Sequence, residues 1–383
     1  MHYFDNSATT RVCPEAAQAA LEAMTGTFGN PSSTHTLGRE AKKLLDQSRK
    51  QVADALGCAP GELVFTSCGS ESDNWAILGG AEAMKRRGGH IISSPVEHDA
   101  VRKSLEELEA RGFTVTRLKP EKDGSVSPEA VRAALQEDTV LVTLMLVNNE
   151  TGGVTDIAGV SRVLKESGSP ALLHTDAVQA FLKIPFSAKS LGADMISVSG
   201  HKIHAPKGVG ALYIRKGLRL KPYILGGAQE EGRRAGTEAM PQIAAFAAAA
   251  ALGKAGMAEN CARMAAQKQQ LIDRLSQELP ELRYIPSDAP HILSISLPGW
   301  RSEVLMNFLR PGRSTYQKAP PARRAGGAMC WRRWAWTPRP STAPCASAFP
   351  DTPTRRIWTR CVRGSRTPEP CWRIAKGSGK SEE

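Results

Sequence analysis

Seven short runs of apolar residues recur between residue 40 and about residue 215: 63–66, 90–93, 114–118, 140–147, 172–175, 195–198 and 210–214. Between them the apolar positions return at helical spacing. A run that is apolar at consecutive positions predicts a strand covered on both faces, and its alternation with helices predicts an α/β fold. The expected core is therefore a mostly parallel seven-stranded sheet with helices on both sides. Ligands in such sheets bind beyond the carboxyl ends of the strands.

Further along, residues 241–252 and 257–279 read as two long alanine-rich helices that carry the chain from a large lobe to a smaller one, although a plain helical hairpin fits the pattern equally well. Residues 291–297 alternate like a strand and 302–309 like a short helix, the start of an α+β lobe. After Arg310 the periodicity stops. The expected divisions are an N-terminal segment joining the small lobe (1–15), a large domain (16–254), the beginning of a small domain (255–310) and a tail (311–383).

Charge changes the picture of that tail. The net charge of +12 would raise nucleic acid as a partner, but residues 311–383 hold 15 of the 50 Lys/Arg and only 4 of the 38 Asp/Glu, leaving 35 and 34 in the rest. The body is nearly neutral. Five of seven tryptophans and ten of 25 prolines also fall after residue 310, without helix or strand period. The tail reads as disordered rather than as a nucleic-acid segment.

Other classes are excluded more simply. The start, Met1-His2-Tyr3-Phe4-Asp5-Asn6, has no basic region followed by an apolar one, and the apolar run 243–252 is far short of the ~20 residues a membrane span needs. Eight scattered cysteines form no CxxC pair, so free thiols in a reducing compartment are expected and no metal site is. The reading is a soluble, cytoplasmic protein.

Four segments carry candidate chemistry. In Ser199-Gly200-His201-Lys202 a lysine follows a strand among small residues, where a partly desolvated amine can attack a carbonyl cofactor; a surface lysine is the plain alternative. Ser67-Cys68-Gly69-Ser70 opens a helix, a seat for phosphate or an ordinary cap by Ser67 or Ser70. Asp176, just past a strand, can keep a pyridine nitrogen protonated or merely cap a helix. His98 also follows a strand, where its ring can stack on a flat cofactor and shuttle protons, or be structural.

These strings, with Asp5-Asn6-Ser7-Ala8-Thr9-Thr10, Gly29-Asn30-Pro31-Ser32-Ser33-Thr34-His35, Val147-Asn148-Asn149-Glu150 and the stretch from Gly226 to Thr237, stand in the order found in cysteine desulfurases of the NifS/IscS type. The chain resembles that family over about four fifths of its length. The resemblance implies the aspartate aminotransferase-like (type I) fold of class V aminotransferases, with pyridoxal 5'-phosphate bound to Lys202. It further implies His98 on the ring, Asp176 on the ring nitrogen, and Gln179 and Asn149 near the ring hydroxyl. Gly69, Ser70, Ser199 and His201 would hold the phosphate, joined by Thr237 from the partner subunit of a homodimer. L-cysteine would be the substrate, with sulfur passed through an enzyme persulfide to an acceptor or iron–sulfur scaffold protein. A selenocysteine lyase, another class V enzyme, or a non-catalytic scaffold that keeps the fold are the alternatives.

One expected string is absent. The family carries a mobile loop, approximately Ser-x-Gly-Ser-Ala-Cys, whose thiolate takes the sulfur; here the corresponding place reads Tyr316-Gln317-Lys318-Ala319-Pro320-Pro321-Ala322. Back-translated and read one nucleotide earlier, those codons permit Ser-Lys-Gly-Ser-Ala-Cys. The same shift turns the stretch from Ala328 to Pro338 into the family-like Ser-His-Val-Leu-Glu-Ala-Met-Gly-Leu-Asp-Pro. A frameshift near residues 310–313 is therefore expected, leaving the small domain incomplete and the sulfur-transfer step impaired. It also removes the arginine that in the family binds the substrate carboxylate. Cys330 lies near the right place, but its Trp and Arg neighbours do not recreate a small mobile loop.

Overall fold

The computed structural model describes residues 2–299 together with the short strands Ser314–Thr315 and Arg332–Ala335. In chain order the strands are β1 (His2–Tyr3), β2 (Leu63–Thr66), β3 (His90–Ser93), β4 (Thr114–Arg117), β5 (Thr139–Thr143), β6 (Leu172–Asp176), β7 (Met195–Ser199), β8 (Gly210–Ile214), β9 (Arg283–Ile285), β10 (Ile292–Ser296), β11 (Ser314–Thr315) and β12 (Arg332–Ala335). The helices are α1 (Pro14–Thr25), α2 (Thr36–Leu56), α3 (Gly69–Met84), α4 (Asp99–Ala110), α5 (Pro128–Ala134), α6 (Ile157–Glu166), α7 (Ala188–Leu191), α8 (Met240–Ala255) and α9 (Met257–Glu278).

All seven expected runs form one sheet in the order β2-β8-β7-β6-β5-β3-β4, parallel except for β8, which runs against both neighbours. The apolar runs are continuous because each face has its own helical cover. Val64, Ile91, Leu141, Leu172, Met195 and Leu212 point into a layer with Trp75, Ile77 and Ala81 of α3 and Val101, Leu105 and Leu108 of α4. Their neighbours Phe65, Ile92, Val142, Leu173, Ile196 and Ala211 point the other way, into a layer with α2, α6 and α8. Period-2 alternation thus divides residues between two cores rather than between core and water.

The expected strand at 140–147 leaves the ladder after Thr143. Leu144 and Leu146 still donate to the carbonyls of His174 and Asp176, but Asn148 Oδ1 accepts from the N–H groups of Glu150 and Thr151 and turns the chain. The two long helices begin at Met240 and Met257, within a residue of expectation, and α8 is buried along most of its length. Beyond them β9 and β10 form a smaller antiparallel sheet with β12, while β1 pairs in parallel with β11. Strands β11 and β12 stand in the tail where the hydrophobic pattern predicts none; ladder pairing uses backbone groups that every non-proline residue carries, so an edge position needs no side-chain signature. The expected helix at 302–309, and the out-of-frame tail apart from these two strands, lie outside the described residues.

Candidate active site

The carboxyl ends of β5, β6 and β7, with the chain that follows β2 and β3, surround a cavity of about 290 Å³. Strand β2 reaches this edge because it runs antiparallel to β8, which runs antiparallel to β7.

The turn after β2 supplies Cys68, Gly69 and Ser70. Cys68 is the N-cap of α3 but no side chain caps the helix, so the alternative of an ordinary cap by Ser67 or Ser70 is not what forms. Opposite this open end, Ser199 closes β7 with its hydroxyl buried and unpartnered. Gly69 is required by space: a Cβ there would stand 2.9 Å from Val178 Cγ2 and 3.4 Å from Ser199 Cβ. Glu71 beside the turn is gripped by Arg234 at 2.9 and 3.1 Å, a two-pronged pair that lowers the carboxyl's pKa against the opposing effect of burial.

The turn after β7 supplies His201 and Lys202. The amine of Lys202 donates to the carbonyls of Ser7 at 2.5 Å and Ala8 at 2.8 Å. The N-terminal motif is therefore a strap across the lysine turn. Thr10 Oγ1 donates to the His201 carbonyl at 2.9 Å and accepts from His204 N–H at 2.7 Å, and Gln179 Nε2 donates to the Ser7 carbonyl at 2.8 Å. Burial, with Lys202 and Lys207 nearby, depresses His201 to about 4, so its ring is neutral at physiological pH.

Asp176 is the last residue of β6, a position nearer the sheet than expected, and Val178 and Gln179 follow it into the cavity wall. Burial raises Asp176, while His98 and Lys202 pull it back toward the charged form. His98 is the N-cap of α4; its Nδ1 accepts from Ala100 N–H at 3.1 Å, which leaves Nε2 to carry the proton of the neutral ring. Asn149, Met145 and Val147 line the side beyond β5.

Nine of the ten expected site residues, Gly69, Ser70, His98, Asn149, Asp176, Gln179, Ser199, His201 and Lys202, thus share one cavity. Thr237 does not line it and is exposed to solvent. Sequence reasoning assigned no role to Ser7 and Ala8, which act through backbone carbonyls, nor to the buried acids Asp73 and Glu97. Among the described residues no cluster of His, Cys, Asp or Glu could hold a metal ion.

The cavity fits a phosphorylated pyridine aldehyde. An open helix end, a buried serine hydroxyl without a partner and a glycine with no room for a side chain make a phosphate cradle. A buried carboxyl, Asp176, and an amine, Lys202, line the same cavity, the two group types that a ring nitrogen and an aldehyde call for. Comparison with known families agrees. The class-V aminotransferase model matches residues 2–312. The chain belongs to the class-V aminotransferases, whose cofactor is pyridoxal phosphate. It is 45% identical over 273 residues to the cysteine desulfurase IscS of Methanosarcina thermophila, covering 71% of this chain and 67% of that one. Among solved structures it is similar to a NifS-like protein, at TM-score 0.84 and 33% identity over 94% of this chain and 98% of that one. It is also similar to SspA in complex with cysteine, at TM-score 0.73 and 32% identity over 84% and 90%. The match spans 62–67% of the length of the first four curated relatives.

Two expected results follow from this class-V site. Gly69→Ala drives a methyl against Val178 and Ser199, so cofactor affinity measured by fluorescence titration should fall about tenfold, a cost of about 1.4 kcal/mol; unchanged affinity would show that the turn relaxes. Glu97, fully buried with Oε1 accepting from Ser94 at 2.6 Å, is raised to about 8, mainly by burial. The unfolded chain ionises it near the ordinary glutamate value while the native chain keeps the proton. Its contribution to stability is thus present below that value and lost as pH rises to about 8. Glu97→Gln should remove this decline, gaining on the order of a few kcal/mol at pH 8 relative to pH 5 in urea unfolding of the cofactor-free protein; parallel pH curves for the two proteins would exclude a protonated Glu97.

Proposed function

We propose that this chain is a cysteine desulfurase by descent: its pyridoxal-phosphate site takes L-cysteine for conversion to L-alanine with the sulfur passed on, and the sulfur-transfer step is impaired in the chain as it stands. The observation that carries the reading is the convergence of Lys202, Asp176, His98 and the Gly69–Ser199 cradle on one cavity, in a chain whose relatives bear the names IscS and NifS. A neighbour in complex with cysteine supports that amino acid as substrate.

When bound, the cofactor supplies an electron sink beside the amino acid's α-carbon. The protein's part is positioning and proton handling. The Ser7 and Ala8 carbonyls aim the Lys202 amine, which would hold the cofactor and serve as the acid–base group at the substrate's α-carbon. Asp176 would keep the ring nitrogen protonated. His98, its orientation fixed by Ala100 N–H, would lie against the ring and offer Nε2 for proton transfer. Gln179 and Asn149 would contact the ring hydroxyl, and Gly69, Ser70, Ser199 and His201 would hold the phosphate.

The exposed Thr237 serves the phosphate of a partner subunit, so the working form is a homodimer. A sulfur-acceptor or iron–sulfur scaffold protein takes the product sulfur, and neither nucleic acid nor a membrane is a partner. Among the described residues no helix is long and apolar enough to cross a membrane, and the cytoplasm is the proposed compartment. The proposed defect lies in residues 311–383, an out-of-frame tail without the loop cysteine. Alanine release from L-cysteine by the purified, cofactor-loaded protein with the loop reading frame restored tests the reading; release from neither cysteine nor selenocysteine by that protein, with cofactor bound, would instead favour a scaffold.

A further inference from the structure

Asp73 lies one helical turn into α3, 1% exposed, in the wall of the cofactor cavity. Its Oδ1 is buried without a hydrogen-bond partner. The groups that face it are nearly all unable to stabilise a charge. His174 Nε2 stands 3.7 Å away, but His174 is buried between the Thr143 hydroxyl at 2.8 Å and the Ser197 hydroxyl at 3.0 Å. Burial depresses that ring to about 3, so the contact is not an ion pair at neutral pH. Burial first, then Asp176 on β6, Glu97 after β3 and Cys68 at the start of α3 act against ionisation, and the Ser197 hydroxyl acts for it. Asp176, by contrast, faces His98 and Lys202.

Two carboxyl groups that repel one another in a dry site do not both ionise; the one beside the Lys202 amine takes the charge. We propose that Asp73 is a positioning residue that stays protonated beneath the cavity, leaving Asp176 as the single carboxylate available to the cofactor's ring nitrogen. The neutral acid fills the wall without competing for the ring's positive charge. A second carboxylate would share that charge and loosen the pairing on which the electron sink depends. The inference rests on the cavity taking pyridoxal phosphate only for its consequence. The protonation of Asp73 belongs to the protein alone.

Infrared spectroscopy of the full chain carrying carbon-13-labelled aspartate tests it, with and without pyridoxal phosphate. Surface aspartates are ionised at neutral pH, so a labelled protonated-carboxyl stretch reports a buried acid. The expected result is such a band at pH 7 that survives Asp176→Asn and disappears in Asp73→Asn. Its absence from the unmodified protein, or its loss in Asp176→Asn, would overturn the proposal even if Asp73→Asn does not fold. In the loaded protein Asp73→Asn copies the neutral acid, so the pH midpoint of the cofactor's visible band should move by less than about 0.3 units, whereas about one unit or more would mark Asp73 as charged. Failure to take up the cofactor would leave the infrared result standing and count against the cofactor reading instead.

Discussion

Lys202→Ala removes the native visible band of the cofactor-loaded protein and, in the chain with its loop reading frame restored, lowers alanine release from L-cysteine by about a thousandfold or more. The amine is the lysine amine that lines the cavity, and the strap from Ser7 and Ala8 gives it a fixed direction. A positioned general acid–base group is commonly worth about 10²–10⁴ in rate, and Lys202 is assigned the covalent hold on the cofactor as well. Phosphate and ring contacts remain, so the variant should still take up pyridoxal phosphate, but reversibly. Borohydride should fix the cofactor to the native chain and not to the variant. A variant that keeps the native spectrum and becomes labelled would place the attachment on another lysine, with Lys183, buried and near His201, the first to examine.

The sheet was legible because six of its seven strands, all but the edge strand β4, are buried on both faces. No polar residue interrupts Leu63–Phe65 or Ile91–Ile92, so each run announces itself without knowledge of its partners. Side chains that act at strand ends were legible for a related reason, since His98, Asp176 and Lys202 are polar residues at or within a few positions of the ends of apolar runs. What the sequence hid acts through other means. Ser7 and Ala8 work by their carbonyls, which every residue has. Asp73 sits where a solvated helix face would equally place an acid, and only the packing of α3 on the sheet buries it. Glu97 reads as a charge next to His98 and proves to be a fully buried acid.

The N-terminal strap also explains why the motif from Asp5 to Thr10 stands so far in sequence from the lysine it serves. The Tyr3 hydroxyl shares its one proton between the carbonyls of Asp5 and Thr9, folding the segment on itself, and Thr10 then ties it to His201 and His204. His204 is held at φ 68°, a left-handed conformation that costs a non-glycine residue free energy. The Thr10 hydroxyl on its N–H and the Arg11 carbonyl on its Nδ1 at 3.0 Å offset that cost. Strain and strap together hold the turn that presents Lys202.

The second large effect concerns sulfur rather than the cofactor. The chain as it stands should load pyridoxal phosphate yet form no enzyme persulfide, because the residues at 316–322 offer no cysteine where the family's mobile loop carries one. Attack on sulfur needs a thiolate delivered to the cofactor-bound substrate. The free cysteines among the described residues do not replace it: Cys13 is buried, burial pushes Cys58 up to about 12 and raises Cys261, and Cys68 stands at the phosphate end of the cavity. A gene carrying one restored nucleotide near the codons for residues 310–313 should encode Ser-Lys-Gly-Ser-Ala-Cys and raise sulfur transfer by about a hundredfold or more, read as persulfide on the loop peptide by mass spectrometry. Alanine formation matched by loop persulfide in the restored chain, with cofactor binding equal in the two, would locate the defect in the loop alone. Equal persulfide turnover by both chains would sink the frameshift reading and require a sulfur-accepting thiol elsewhere, and an intact mass of the natural protein then decides which chain the organism makes.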